Sequence, residues 1–232
     1  MTAAKKKMGV IFDLDGVLID TGEFHRQSWY ELAEKEGFNM SDELFYSTFG
    51  MQNYKIIPML AGRQLSAEEI KRLSEWKEQR YRDIISSNLV LSEGAKPLIE
   101  DLKSKGFLLA IGTSAPRANL DFVLGHLDPE EHRDFDAYVT GEDVKSSKPA
   151  PDTFLKAAEK LSLSAGLCAV VEDSVQAVQA GKAAGMAVIA ITTTRKRENL
   201  KYADIIIDSL AELKAEDFIN IISIQKTKRD LY

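Results

Sequence analysis

In 232 residues the chain has one cysteine, Cys168. A single thiol cannot close an internal disulfide, so a reducing compartment is expected. Long apolar runs are missing as well: no segment approaches the ~20 apolar residues of a membrane helix. Lys5, Lys6 and Lys7 precede the apolar run 8–12. That run stops at Asp13, short of the roughly 7–15 residues of a signal-peptide core. Positive charge is in deficit: 30 Lys and Arg against 36 Asp and Glu give a formal net charge of −6. This argues against a nucleic-acid binder that works by neutralising phosphates. Internal repeats and low-complexity tracts are also lacking. What remains is ordinary globular composition, 44% hydrophobic and 28% charged, enough for one domain or a core with a small second one. A cytoplasmic protein is expected, with no membrane and no nucleic-acid partner.

Residues 9–12 are a short apolar run that ends in Asp13-Leu14-Asp15-Gly16, which reads as a buried strand. Phe24, Ser28, Trp29, Leu32 and Ala33 share a helical face, with Gly37 as a stop. Ser66-Ala67-Glu68-Glu69 is a capping-box pattern that starts a charged helix reaching about residue 86. Residues 20–90 therefore read as all-helical. Beyond residue 90 the rhythm changes. Strands are expected at 107–111, near 138–139, at 167–171, 187–191 and 205–207. Helices are expected at 95–104, 117–126, 151–160 and 174–184, with a helical region near the C-terminus. This alternation predicts an α/β fold, a Rossmann-like parallel sheet covered on both faces. Three strands end in acidic or hydroxyl residues, at 13, 113 and 172. Ligands of open α/β sheets bind beyond the carboxyl ends of strands. The helical block lies between the first strand and the rest, as an insertion over that site.

Asp13 and Asp15, two residues apart on extended chain, would project to one side with α-carbons about 6–7 Å apart. Two such carboxylates repel, so one takes a proton or both meet a cation. Glu172-Asp173 adds negative charge at a neighbouring strand end. Oxygen donors without His or Cys suit a hard ion, and Mg²⁺ fits when a substrate phosphate completes its shell. An acidic turn before glycine is the plain alternative. An EF-hand is excluded: with Asp13 as position 1, position 6 is Leu18 and position 12 is Phe24, where that loop needs Gly and Glu. Thr113 and Ser114 follow Gly112, where a hydroxyl and free N–H groups can hold a phosphoryl oxygen. Ser and Thr at strand ends also start ordinary turns. Lys148 lies in a loop stiffened by Pro149 and Pro151, although an isolated lysine there also reads as solvated.

In order, Phe12-Asp13-Leu14-Asp15-Gly16-Val17-Leu18-Ile19-Asp20-Thr21, Gly112-Thr113-Ser114, Ser147-Lys148-Pro149 and Val171-Glu172-Asp173-Ser174 closely resemble the four motifs of the haloacid dehalogenase superfamily. The resemblance spans nearly the whole chain. The segments ending at His25 and at Asp152 are similar to the β-phosphoglucomutase-like phosphatases. The resemblance implies a catalytic core of residues 1–20 and 91–232 with a helical cap of the first type, residues 21–90. It implies Asp13 as nucleophile and Asp15 as general acid, then base, with its carbonyl on Mg²⁺. Thr113 would bind the phosphoryl group, with Ser114 beside it, and Lys148 would offset its charge. Asp173 and Glu172 would complete the metal site. A second Asp two residues after the nucleophile belongs to the phosphotransferases, so dehalogenation is disfavoured.

In the mutase subgroup a histidine placed like His25 helps control Asp15 and cap closure; a lone helix histidine is otherwise surface decoration. His126 and His132 receive no role. Phe49-Gly50-Met51-Gln52-Asn53 resembles the cap loop that meets substrate. The mutase pattern has cations where Phe49 and Asn53 stand, so water is expected as final acceptor, with Arg63, Lys77 or Arg80 as other sources of charge. Arg195-Lys196-Arg197 reads as a solvated loop, and Trp76 as packing. The expected activity is Mg²⁺-dependent hydrolysis of a small phosphorylated metabolite, such as a sugar phosphate, by a monomer or weak dimer. The rivals are a β-phosphoglucomutase, a pyrophosphate or phosphoglycolate hydrolase, and a non-catalytic module on the same fold.

Overall fold

A computed structural model describes residues 7–127 and 134–230; Lys5, Lys6 and His132 lie outside the described residues. Six parallel strands form one sheet: β1 (Gly9–Phe12), β2 (Leu108–Gly112), β3 (Ala137–Val139), β4 (Cys168–Glu172), β5 (Ala187–Ile191) and β6 (Ile205–Ile207). Their order is β3-β2-β1-β4-β5-β6, so the first strand of the sequence lies near the middle of the sheet. The expected strands are present, with β2 and β4 each shifted one residue toward the C-terminus.

Side chains alternate across these strands, as the two-residue period demands. Val10 and Phe12 join Leu109, Ile111, Val171 and Ile189 in one apolar cluster. It is covered by α5 (Ala95–Ser104), α6 (Arg117–His126) and α9 (Ala215–Asp230). Ile11, Ala110 and Val170 face the other way. There they meet Phe154 and Ala157 of α7 (Asp152–Lys160) and Ala177 and Ala180 of α8 (Val175–Ala183). Both faces of the sheet are thus sealed, which explains why β1, β4 and β5 are buried at every position.

Four helices lie between β1 and α5: α1 (Gly22–Glu36), α2 (Asp42–Thr48), α3 (Asn53–Ala61) and α4 (Ala67–Ile85). They share an apolar cluster of their own, built on Trp29, Leu32, Phe45, Ile57, Leu60 and Leu73. Trp76 packs at its edge. The capping box forms as expected: Glu69 N–H donates to Ser66 Oγ at 3.1 Å, and Ser66 N–H donates to Glu69 Oε2 at 2.9 Å. The buried face of α1 differs from expectation. His25 belongs to it with Ser28, Trp29, Leu32 and Ala33. Phe24 instead turns toward the cluster under the sheet. Among the described residues no helix is long and apolar enough to cross a membrane.

Candidate active site

Strand register assembles the site. Phe12 pairs with Ile111 on one side and with Val171 on the other. The next residues, Asp13, Gly112 and Glu172, therefore emerge level at the carboxyl edge. Asp13 N–H still donates to Val171 O at 3.0 Å, and Thr113 N–H to Val139 O at 2.9 Å. The chain then turns sharply, with Leu18 and Ile19 N–H both bonded to Leu14 O. Asp15 thus lies in a turn where extended chain was expected, yet both carboxylates line one cavity. Asp13 stays with the sheet, while Asp15 reaches the helical layer.

Asp13, Glu172 and Asp173 are all buried, with one oxygen from each lying within 4.8 Å of the others. Lys148 is buried among them, not a solvated loop lysine: its Nζ is 3.2 Å from Asp13 Oδ2 and bonds Glu172 Oε1. Three carboxylates and one ammonium leave two uncompensated negative charges if all are ionised. Burial and mutual repulsion respond to that excess. Burial, then Asp13, pushes Asp173 up to about 7, against hydrogen bonding from Thr194. Burial also raises Asp13 and Glu172, and Lys148 offsets this only in part. Burial would strip the charge from Lys148, but Asp13 and Glu172 outweigh it and hold the proton on.

The donor set is all oxygen, the deficit is two charges, and Asp13 Oδ1 is buried without any hydrogen-bond partner. These features fit a hard divalent ion. Glu172 is already well engaged, since its Oε2 accepts from Asp173 N–H at 2.9 Å. Asp173 Oδ2 accepts from Thr194 Oγ1 at 2.5 Å. Gly16 lies against this carboxylate at φ +78°, where a Cβ would overlap Asp173 Oδ2. Gly16→Ala should therefore cost about 1–3 kcal/mol in backbone strain and displace Asp173. Thermal melting in chelator should show the loss, and the rise on adding Mg²⁺ should shrink. Unchanged melting in both conditions would contradict this packing.

A cavity of about 880 Å³ opens above the cluster, within the usual range for small-molecule sites. Thr113 and Ser114 line its floor. Thr113 Oγ1 accepts from Ala115 N–H at 3.0 Å, and Ser114 Oγ is buried without a partner. The helical layer supplies the roof through Trp29, Phe45, Phe49, Gly50, Met51 and Asn53. Gly50, at φ +86°, sits so close to the core that a Cβ would be 2.9 Å from Ser174 Oγ.

His25 is buried at the boundary, with Nε2 3.2 Å from Asp15 Oδ1. Its ring stacks on Tyr81 at 3.9 Å, and the Tyr81 hydroxyl donates to the same Asp15 oxygen at 3.3 Å. Burial would raise Asp15, but His25, with Lys77 behind it, reverses the shift and holds this carboxyl below its ordinary range. Asp13 and Asp15 are thus driven in opposite directions, the pattern of two carboxylates with separate duties.

Of the cations expected as other sources of charge, Lys77 lines the cavity, whereas Arg63 and Arg80 are not among its lining residues. Arg63 is paired with Glu69, and Arg80 with Glu31. Lys77 is buried against Glu78 and His25. Asn53 lines the cavity, but its amide donates to Glu78 Oε1 at 2.7 Å. Arg195 is not solvated: it bonds Tyr46 O and lies over the Phe49 ring at 5.7 Å. Gln52 donates to Gly141 O at 2.8 Å, and Gln176 to Ser47 O at 3.0 Å. These bonds seat the helical layer on the sheet. Nothing in the local sequence distinguishes such bridging side chains from exposed ones.

Comparison with known proteins agrees with this geometry. Residues 10–191 match the family model described as haloacid dehalogenase-like hydrolase. Fructose-1-phosphate phosphatase YqaB of Escherichia coli is 32% identical over 180 residues, covering 77% of this chain and 93% of that protein. A phosphorylated carbohydrates phosphatase of Thermotoga maritima is 32% identical over 185 residues, covering 76% and 81%. A β-phosphoglucomutase structure from Clostridium difficile superposes with a TM-score of 0.85 at 27% identity, covering 96% of this chain and all of that one.

Proposed function

The chain belongs to the haloacid dehalogenase-like hydrolases and is a phosphoric monoester hydrolase, and we propose that it removes phosphate from a small phosphorylated carbohydrate through an aspartyl-phosphate on Asp13. One observation carries this reading. Asp13 Oδ1, buried and unpartnered, stands beside Lys148, Glu172 and Asp173 beneath a cavity floored by Thr113 and Ser114. The names of the two phosphatases above support the carbohydrate.

Mg²⁺ would be held by Asp13, Asp173 and the Asp15 carbonyl, with Glu172 adjacent, and when bound it supplies positive charge for the phosphoryl oxygens. In the first step an Asp13 carboxylate oxygen attacks phosphorus. The bond from phosphorus to the leaving oxygen breaks, and that oxygen takes the proton of the Asp15 carboxyl. Thr113 and Ser114 orient the phosphoryl oxygens, and Lys148 offsets their charge. Water then attacks phosphorus and gives its proton to the Asp15 carboxylate. The bond from phosphorus to Asp13 breaks, returning both groups to their starting states. Residues 21–90 act as a cap that excludes bulk water. The bond from His25 favours the ionised form of Asp15, and that is the form the second step would need.

Phosphosugar isomerisation is the second reading, favoured by the structural likeness to β-phosphoglucomutase. A mutase must grip a second phosphate. Here Lys77 and Arg82 are tied to Glu78 and Asn119, and Lys71 and Lys145 are exposed at the cavity mouth. This favours water as acceptor.

The test is phosphate release from fructose 1-phosphate, glucose 6-phosphate, ribose 5-phosphate, phosphoglycolate and p-nitrophenyl phosphate, with Mg²⁺ and with chelator. Release that needs Mg²⁺ and favours the sugar phosphates is expected; none from any of them would overturn the reading. Glucose 1-phosphate converted to glucose 6-phosphate with little free phosphate would establish the mutase instead. Asp15→Asn should lower kcat on sugar phosphates by about 10²–10⁴-fold. Calorimetric Mg²⁺ affinity should change little, because the carbonyl and not the side chain coordinates. Collapse of that affinity would remove this assignment.

A further inference from the structure

Thr194 lies in the turn after β5, outside the four segments that resemble the family motifs. It meets the acidic cluster through one atom. Its Oγ1 lies 2.5 Å from Asp173 Oδ2 and 3.2 Å from Asp173 O. A threonine hydroxyl has one hydrogen to give, and the shorter contact claims it. The same carboxylate oxygen is closed in from the turn after β1 by Gly16, where an added Cβ would overlap it. Thr193 Oγ1 donates to Gly16 O. The two threonines thus hold both walls of a cradle around Asp173 Oδ2.

This arrangement rations the oxygens of the cluster. Asp173 is buried, and with Oδ2 committed to Thr194 it has Oδ1 to offer an ion. Glu172 is engaged at both oxygens: Lys148 donates to Oε1, and Asp173 N–H donates to Oε2 at 2.9 Å. Asp13 Oδ2 faces Lys148 at 3.2 Å, while Oδ1 has no partner among the described residues. Each ligand carboxylate therefore keeps one oxygen free. Such a donor set separates ions of equal charge. Mg²⁺ is small, demands near-octahedral geometry and keeps several waters, so single oxygens suit it. Ca²⁺ takes roughly six to eight oxygens and often both from one carboxylate. A carboxylate that withholds its second oxygen leaves Ca²⁺ short of ligands.

We propose that Thr194 is a positioning residue that sets ion preference: by engaging Asp173 Oδ2 it makes this carboxylate a one-oxygen ligand, which favours Mg²⁺ over Ca²⁺. This deepens the assignment of Asp13 and Asp173 as metal ligands and rests on it. Thr194 acts through Asp173, so its effect is read in metal binding.

The test is calorimetry on metal-free protein without substrate, with Mg²⁺ alone and with Ca²⁺ alone, in wild type, Thr194→Val and Thr194→Ser. Thr194→Val deletes the donor, and losing a group that orients a metal ligand should weaken Mg²⁺ binding about 10–100-fold. Ca²⁺ gains access to Asp173 Oδ2 in the same variant, which offsets its loss, so the ratio of Mg²⁺ to Ca²⁺ affinity should fall about tenfold. Thr194→Ser keeps the hydroxyl and should restore the ratio. Both ions are titrated into one preparation, so misfolded protein lowers the number of sites and leaves the ratio alone. A ratio that stays or rises in Thr194→Val overturns the proposal. Loss of both ions alike, or a Thr194→Ser that behaves as Thr194→Val does, also overturns it. A wild type that binds neither ion removes the metal assignment and the proposal with it, whereas phosphate release from the panel above decides the phosphatase reading separately.

Discussion

Asp13→Asn is expected to lower phosphate release from p-nitrophenyl phosphate on the order of 10⁴-fold or more, the scale of loss when a covalent nucleophile is deleted. The same change should leave the metal-free protein at least as stable as wild type. Asp13 is one of three buried carboxylates that share one lysine, and its neutral isostere removes repulsion among them. Lys148 keeps its bond to Glu172. Activity and stability should thus move in opposite directions. Phosphate assays and thermal melts in chelator measure the two effects on one preparation. A variant that retains a tenth of wild-type activity would contradict the nucleophile assignment. One that melts well below wild type would contradict the electrostatic account of the cluster.

Lys148→Met should do the reverse to stability. The lysine is the buried cation bonded to Asp13 and Glu172, and its loss leaves three carboxylates without a counter-charge. Breaking a buried pair from one side costs about 3–5 kcal/mol. For a chain of this size that is a fall of roughly 6–20 °C in melting temperature. The deficit should depend on pH in a defined direction. Asp13, Glu172 and Asp173 are all raised in the folded protein, with Asp173 near 7. The folded state therefore binds more protons than the unfolded one between the ordinary carboxylate range and about pH 7. Stability from these groups is lost as pH rises through that window. Without Lys148 their values climb further, so the gap between variant and wild type should be wider at pH 8 than at pH 6. Melts in chelator at both values check this. An equal deficit at the two values would show that the carboxylates are not the source. Activity should fall as well, because the variant lacks the charge that faces the phosphoryl group.

The core and the site differ in how much of each the sequence discloses. Strands such as Val10-Ile11-Phe12 and Val188-Ile189-Ala190 are buried on both faces, so they stand out as unbroken apolar runs. The abrupt ends of β1 before Asp13 and of β4 at Glu172 mark the carboxyl edge, where polar side chains are tolerated only because they meet one another. Parallel register then brings residues far apart in sequence to one level, and the motif spacing reports this indirectly. The helical layer is less legible. Its helices α2 and α3 are short, 7 and 9 residues, and α4 reads as a charged surface helix although Lys77, Glu78 and Tyr81 are buried. Burial of that ion pair is decided by Asn53 and Asn119, which lie 25 and 41 residues from Glu78. No local pattern on α4 encodes those partners. The same holds for Arg195, whose neighbours Lys196 and Arg197 are exposed while it reaches Tyr46, 149 residues away.

Opposite shifts of Asp13 and Asp15 link these two layers. The first carboxyl answers to the strand edge, the second to His25 and Tyr81 from the helical insertion. On the proposed mechanism, chemistry on phosphorus would belong to the sheet, and control of the leaving group to the helices above it.

The most direct measurement is a crystal structure with Mg²⁺ and beryllium fluoride, whose tetrahedral adduct mimics an acyl phosphate. The account predicts beryllium bonded to Asp13, fluorides against Thr113, Ser114 and Lys148, and a metal ion joining the Asp13 and Asp173 side chains. An adduct absent from Asp13, with these two carboxylates turned away from each other, would contradict it.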